Sequence, residues 1–100
     1  MARMRYEILF APEAAQDFKR LSARDHSTVR EAIEKHLRYE PQRTSKSRIK
    51  KLRGISRPQY RLRVGEIRVF YDVVEPRVQV LAIIPKSKAA EWFLEIGEKK

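Results

Sequence analysis

The segment from Tyr60 to Tyr71 constrains this 100-residue chain most, because apolar and charged side chains alternate along it on both sides of Gly65-Glu66. A period of two is typical of β-strands, whose successive side chains point to opposite faces. Glycine at the first central position of a two-residue turn favours a type II′ hairpin. The segment therefore predicts two antiparallel strands with one apolar face and one face rich in arginine.

The position of the turn decides which residues share a face. The face that helices would cover holds Leu62, Val64, Ile67 and Val69. The opposite face holds Arg61, Arg63, Arg68 and the ring of Phe70. In this register Arg63 lies directly opposite Arg68, and like charges in that relation destabilise a strand pair. Three guanidinium groups beside an aromatic ring suit bidentate phosphate binding and base stacking, whereas the alternative is an ordinary solvated face of an antiparallel sheet.

Positive charge is concentrated in the same part of the chain. Between Pro41 and Phe70 there are ten basic residues and one acid, Glu66, which together carry nine of the ten net positive charges. The other seventy residues nearly balance, with thirteen basic and twelve acidic side chains. This concentration indicates a polyanionic partner, and nucleic acid is the usual one.

Basic residues just before the hairpin are predicted to contact a nucleic-acid backbone, which positions a ligand without reading its sequence. They are Arg48, Lys50, Lys51 and Arg53. We expect part of this segment to lie on the strand next to the hairpin. A charged edge strand that prevents aggregation between sheets is the alternative interpretation, and both can hold.

Composition excludes several classes of function. The chain has no cysteine and only two histidines, so we expect no disulfide, no thiolate chemistry, no metal site and no other cofactor. No apolar run reaches the length of a signal peptide or a membrane span. The interpretation is a single cytoplasmic domain over residues 1–100.

The whole chain predicts an α+β domain with the element order β-α-α-β-β-β-β-α. A strand near residues 6–10 precedes a helix that begins at Pro12, and a second helix, capped by Ser22 or Asp25, ends before Pro41. Further strands and a last helix are predicted near residues 50–54, 59–64, 67–74, 77–84 and 86–96. We expect a mostly antiparallel sheet of four to five strands, with the helical hairpin and the C-terminal helix grouped on one face.

Several aromatic and apolar side chains have structural interpretations. Tyr60 and Tyr71 are predicted to pack as a cross-strand pair, and His36 to lie partly buried on its helix. Trp92 fits either the core or a groove for a partner protein. In the last helix the predicted core positions are Ala89, Ala90, Phe93 and Leu94.

Four segments in this order resemble the RelE/ParE superfamily of type II toxin–antitoxin toxins. They are KLRG at 51–54, YRLR at 60–63, RVFY at 68–71 and PKSK at 85–88. The likeness spans almost the whole chain, and KLRG favours the RelE branch of ribosome-dependent mRNA endonucleases over the ParE branch of gyrase inhibitors. The resemblance implies cleavage of mRNA in the ribosomal A site, with inhibition of translation, and a cognate antitoxin that binds through an acidic or amphipathic segment in a hetero-oligomer.

The resemblance also implies roles for individual residues. Arg61 and Arg63 match two family lysines, one of which abstracts a proton or stabilises charge. Arg68 matches an arginine that holds the scissile phosphate. Preorganised guanidinium groups of this kind stabilise the charge that a pentavalent phosphorane gains on its equatorial oxygens.

The chain departs from the family pattern in its last helix. An arginine expected at its start falls on Ser87, so Lys88 or Lys86 is expected to supply the cation. A tyrosine expected further on falls on Phe93, which can stack on a base but cannot donate a proton. Glu66 is a candidate base, but its place in the turn favours an exposed turn residue. The alternative to an endoribonuclease is therefore a non-catalytic ParE-like toxin or a nucleic-acid-binding module of the same fold.

Overall fold

The computed structural model describes residues 4–55 and 57–98, and within them the elements follow the predicted order. Strand β1 (Glu7–Phe10) is followed by helices α1 (Pro12–Lys19) and α2 (Ala23–Leu37). The remaining strands are β2 (Ile49–Lys51), β3 (Tyr60–Val64), β4 (Ile67–Val74) and β5 (Arg77–Pro85). A 3₁₀ turn (Lys86–Lys88) then leads into α3 (Ala89–Glu98).

The five strands form one mixed sheet in the order β1-β5-β4-β3-β2. Only the β1–β5 pair of these strands is parallel, and the other three pairs are antiparallel, so the predicted α+β class with a mostly antiparallel sheet is confirmed. The chain enters the sheet at the β1 edge, and the α1–α2 hairpin carries it to the β2 edge. The charged segment before the hairpin therefore ends up at the sheet edge farthest from β1.

The second helix follows directly from its sequence. Ser22 is its N-cap, and the Ser22 hydroxyl accepts a hydrogen bond of 3.2 Å from the backbone N–H of Asp25. Val29, Ile33 and Leu37 recur every four residues and are buried, so one stripe of α2 packs against the sheet. The helix ends well before Pro41, as predicted.

The hairpin of β3 and β4 has the predicted register. Val64 lies opposite Ile67 and Leu62 opposite Val69. Gly65 has a φ of +60°, while Glu66 keeps a negative φ, which matches a type II′ turn and explains the glycine. Because this register is fixed, the apolar side chains of the hairpin point into the core that α1 and α2 cover.

The position of α3 differs from the prediction that all helices share one face of the sheet. The ring of Phe70, on the face opposite Leu62, stacks on Trp92 at 4.8 Å and meets Phe93 edge-on at 5.0 Å. Phe70 is only 1% exposed, so α3 covers the second face and the sheet lies between two helical layers. The physical reason is alternation: Phe70 and its neighbour Ala82 form an apolar centre on that face, and burying a phenylalanine ring stabilises by roughly 2 kcal/mol.

The contact surface of α3 also differs from the prediction. Trp92 and Phe93 make its aromatic contacts, whereas Ala90 is exposed and Leu94 is 69% exposed. Within residues 4–55 and 57–98 no helix is long and apolar enough to cross a membrane.

The segment between α2 and β2 is anchored at both ends, although its polar and basic side chains are typical of a solvated loop. Near its start Pro41 is buried, and the Tyr71 hydroxyl donates a hydrogen bond of 2.6 Å to the Pro41 carbonyl. At the other end Ile49 is buried, so β2 begins one residue earlier than predicted and ends before Leu52. Tyr60 and Tyr71 stack at 5.5 Å, which confirms the predicted packing pair, and burial raises the pKa of Tyr71 so that it stays a donor.

Replacing Tyr71 by Phe tests this anchor. The substitution keeps the stacked ring but leaves a buried carbonyl without its donor, so we expect the free energy of unfolding to fall by about 1–3 kcal/mol. Tyr60→Phe is the matched control, because within the described ranges the Tyr60 hydroxyl makes no hydrogen bond, and we expect a change below about 0.5 kcal/mol. Urea unfolding followed by circular dichroism measures both, and equal losses would contradict the anchoring role.

Candidate nucleic-acid interface

The predicted arginine face forms at the β3–β4 hairpin. Arg63 lies directly opposite Arg68, and Arg61 lies opposite Phe70 on one side and Lys50 of β2 on the other. We call Arg61, Arg63 and Arg68 the arginine cluster. Strand pairing thus places three guanidinium groups and a lysine on adjacent strands at the end of the sheet nearest the Gly65 turn.

Arg61 shows that the cluster members interact. Burial lowers the pKa of Arg61 most, and the positive charges of Arg68 and Arg63 lower it further. The Nε atom of Arg61 is buried and has no hydrogen-bond partner among the residues that the structure describes. A buried donor without a partner costs roughly 1–3 kcal/mol.

Arg68 is held rigidly by the hairpin turn. It is 7% exposed, and its Nη1 donates to the carbonyls of Gly65 at 2.7 Å and Ile67 at 3.1 Å. Among the described residues all hydrogen bonds of this side chain come from Nη1. The Nε and Nη2 donors point along another edge of the planar guanidinium group. They are left for a ligand, and this pair of donors can bind a phosphate bidentately.

The start of the C-terminal helix lies at the same end of the sheet. The backbone N–H of Lys86 donates to the Glu66 carbonyl at 2.7 Å, and Pro85 pairs with Ile67. Lys86 and Lys88 are both exposed. The two lysines expected to replace the missing arginine are thus tethered to the turn that holds Arg68.

Phe70 and Phe93, the two phenylalanines predicted to contact a nucleic acid, touch each other: Phe70 lies on β4 beneath α3, and Phe93 is part of α3. Phe70 is covered by Trp92 and Phe93, so its ring is not accessible to a base while α3 stays in this position. Phe93 is half-buried and also meets Trp92 edge-on at 5.3 Å. Trp92, for which the sequence allowed either a core position or a partner groove, covers the apolar centre of this face.

The basic segment before the hairpin divides into two parts. Lys50 and Lys51 on β2 and Arg53 just after it are exposed at the sheet edge. Arg48 instead lines a cavity beside α2, where it influences His36. Contact of these four residues with a nucleic-acid backbone stays a prediction.

Two further basic residues of the charged segment are in ion pairs. Arg57 Nε lies 2.9 Å from Oδ2 of Asp72, a carboxylate that is 9% exposed and also accepts from the backbone N–H of Gln59 at 2.8 Å. Arg43 pairs with Glu40 at 3.2 Å. These two ion pairs hold loop residues in place. The sequence did not predict them, because the acidic partners, Asp72 and Glu40, lie outside the charged segment between Pro41 and Phe70.

Within the described residues no group of three or more histidine, cysteine, aspartate or glutamate side chains could hold a metal ion. What the cluster offers is fixed positive charge around one point. Guanidinium groups that are already in place stabilise negative charge that develops on a bound phosphate without reorganising.

Replacing Arg61 by Met tests whether the cluster is strained by its own charges. The substitution keeps the aliphatic stem and removes both the repulsion and the unpaired Nε, so we expect the unfolding free energy to rise by about 1 kcal/mol. Arg30→Met, on the exposed surface of α2, removes the same charge without this relief. Thermal unfolding compares the two, and a gain no larger than that of the control would refute the strain.

Comparison with known proteins places this geometry in a family. The protein-family sequence model described as "ParE toxin of type II toxin-antitoxin system, parDE" matches residues 8–90 of this chain. The RelBE2 toxin–antitoxin complex from Mycobacterium tuberculosis contains a chain with 25% identity and a TM-score of 0.69, covering 81% of this chain and 98% of that chain. The RelE–RelB complex from Pyrococcus horikoshii gives 26% identity and a TM-score of 0.67, covering 83% and 97%.

More distant structures share the fold alone. The intact RelBE complex from Escherichia coli has 20% identity and a TM-score of 0.56, covering 80% of this chain and 95% of that chain. No curated protein sequence matches significantly. Because the family model spans most of the chain, this protein belongs to the ParE toxin family of type II toxin–antitoxin systems, within the RelE/ParE superfamily that its sequence resembles.

Proposed function

We propose that this toxin is a ribosome-dependent endoribonuclease that cleaves mRNA in the A site and thereby inhibits translation. The observation that carries the proposal is the arginine cluster itself, in which Arg63 lies directly opposite Arg68 and both charges act on Arg61. Like charges directly opposite each other weaken a strand pair, whereas a bound phosphodiester relieves their repulsion.

The chemistry that fits is attack within the RNA strand. The ribose 2′-oxygen forms a bond to the adjacent phosphorus, and the bond from phosphorus to the 5′-oxygen of the next nucleotide breaks. The products are a 2′,3′-cyclic phosphate and a 5′-hydroxyl. The 2′-hydroxyl loses a proton and the leaving 5′-oxygen gains one, so no other reactant is consumed.

Each member of the cluster has a place in this reaction. Arg68, fixed by the turn carbonyls through Nη1, holds a non-bridging oxygen of the scissile phosphate with its other donors. Arg61 and Arg63 stabilise the charge that grows on the equatorial oxygens, and Lys88 or Lys86 adds charge from the start of α3. Because arginine stays protonated, water carries the protons, and Glu66 remains an exposed turn residue.

The same surface suits an antitoxin. The solved relatives described above are toxin–antitoxin complexes, and we extend that association to this chain. A cognate antitoxin with an acidic or amphipathic segment would neutralise the arginine cluster in a hetero-oligomer in the cytoplasm. The net charge of +10 makes binding of antitoxin, ribosome or mRNA weaker as salt rises.

A second candidate function is inhibition of gyrase without catalysis. Two observations favour it: the matching family model is that of ParE, and Phe93 occupies the place of an expected tyrosine that could transfer a proton. In this alternative the arginine cluster binds a partner but breaks no bond.

Loss of the cluster should abolish RNA cleavage. In cells that express the toxin, primer extension on a translated message should show new ends within codons. Arg68→Ala should reduce their yield at least about a hundredfold, the usual cost of removing a preorganised donor. Arg63→Gln, at an exposed position that does not hold the turn, serves as a second variant that keeps the fold.

Arg30→Gln is the charge-matched control and should cleave like the parent protein. If messages stay intact while DNA relaxation is defective and growth still stops, the gyrase function replaces the endoribonuclease. Full toxicity of Arg68→Ala would remove Arg68 from either role.

A further inference from the structure

We propose that the cavity between the end of α2 and the segment before β2 is a second phosphate-binding site, separate from the arginine cluster. The cavity has a volume of about 240 Å³. Its charged and polar lining includes Lys35, His36, Glu40, Arg43, Ser45 and Arg48. Small-molecule pockets usually exceed about 300 Å³, so this one suits a phosphate group and part of a sugar better than a whole nucleotide.

The charge of the cavity favours an anion. Lys35, Arg43 and Arg48 contribute three positive charges and Glu40 one negative charge, which leaves two net positive charges when His36 is neutral. The Arg43–Glu40 ion pair, at 3.2 Å, joins side chains that are 76% and 42% exposed. Exposed pairs of this kind are worth little, so Arg43 can turn to a phosphate at small cost.

The wall that carries Arg48 is preorganised. The Ser45 hydroxyl accepts hydrogen bonds from the backbone N–H groups of Arg48 at 3.0 Å and Ile49 at 3.3 Å. The Arg48 carbonyl accepts from the backbone N–H of Arg63 at 2.8 Å. The same segment begins at Pro41, which Tyr71 anchors. Since the backbone is already fixed, binding loses little conformational entropy.

The pKa of His36 is sensitive to charge in this cavity. Burial lowers the pKa of His36 most, and the charges of Arg48 and Lys35 lower it further. The other charged and polar groups that line the cavity with His36 are those of Arg43, Glu40, Thr44 and Ser45. A phosphate beside the ring would reverse the local field, so binding should raise the pKa of His36 and draw a proton onto it.

The phosphate has two possible sources with the same chemistry: an internal phosphodiester of an RNA strand, or a free or terminal phosphate. The site does not depend on RNA cleavage, because it uses neither the arginine cluster nor α3. In an RNA complex it would hold the backbone at the β2 edge while the cluster holds another phosphate.

Nuclear magnetic resonance of the histidine rings in the full chain tests the site. The pH titration of His36 is followed in inorganic phosphate and in sodium chloride at equal ionic strength, and His26, stacked on Phe18, is the internal reference. We expect phosphate alone to move the His36 titration upward. Absence of this movement, or an equal movement in chloride, overturns the site for inorganic phosphate.

A second arm uses a 2′-O-methyl oligoribonucleotide with hydroxyl ends, which offers only internal phosphodiesters and cannot be cleaved. A response of His36 to this probe assigns the site to an RNA backbone, and a response to inorganic phosphate alone assigns it to free or terminal phosphate. If neither probe moves His36, there is no phosphate site here. That outcome leaves the cleavage assay on the arginine cluster unaffected.

Substitution links the response to the cavity. Arg48→Gln removes a charged donor, so we expect about tenfold weaker binding of whichever probe responds. Its backbone bonds to Ser45 and Arg63 are unchanged, so the fold should persist. Arg30→Gln removes the same charge on α2 outside the cavity and should bind like the parent chain. Equal weakening by both variants would reduce the effect to net charge and overturn the site.

Discussion

The pairing of β3 with β4 through the Gly65 turn is the constraint on which the rest of this structure depends. A shift of one residue would turn Leu62 and Val64 toward the second face and the arginines into the core that α1 and α2 cover. Burying unpaired guanidinium groups there is far more costly than any gain from the strand pair, so the register is strongly determined. The same register places Arg63 opposite Arg68, and the repulsion between them is therefore a consequence of the alternation that forms the core.

The repulsion is tolerated because the sheet is supported on both faces. Toward α1 and α2 the hairpin contributes part of the main core, and on the other face Phe70 stacks under Trp92 and Phe93. The apolar centre of the second face and its charged end are neighbours: Phe70 lies directly opposite Arg61. Burial is the main reason for the lowered pKa of Arg61.

The sequence predicted those features that depend on neighbours along the chain. Alternation and one glycine are enough to define the hairpin, its register and its arginine face, and the cap at Ser22 and the stripe of α2 are equally local. The position of α3 could not be predicted in the same way, because it depends on which of two sheet faces has an uncovered aromatic centre. That information comes from Phe70 and Ala82 meeting across β4 and β5. The cavity at Arg48 was missed for a similar reason, since His36 reaches it from α2, twelve residues away in sequence.

The ten basic residues between Pro41 and Phe70 have different surroundings in the folded chain. Of the ten basic residues between Pro41 and Phe70, Arg57 and Arg43 pair with carboxylates, and Arg48 belongs to the cavity beside α2. What remains is the arginine cluster, with Lys50, Lys51 and Arg53 along the β2 edge and Lys46 in the loop before β2. Local field strength depends on charges within a few ångströms and on the removal of water, and Arg61 is partly buried and influenced by the charges of Arg68 and Arg63. Under the proposed function the three arginines of the cluster, rather than the total charge of the segment, hold the phosphate, and the remaining basic residues mainly attract it from a distance.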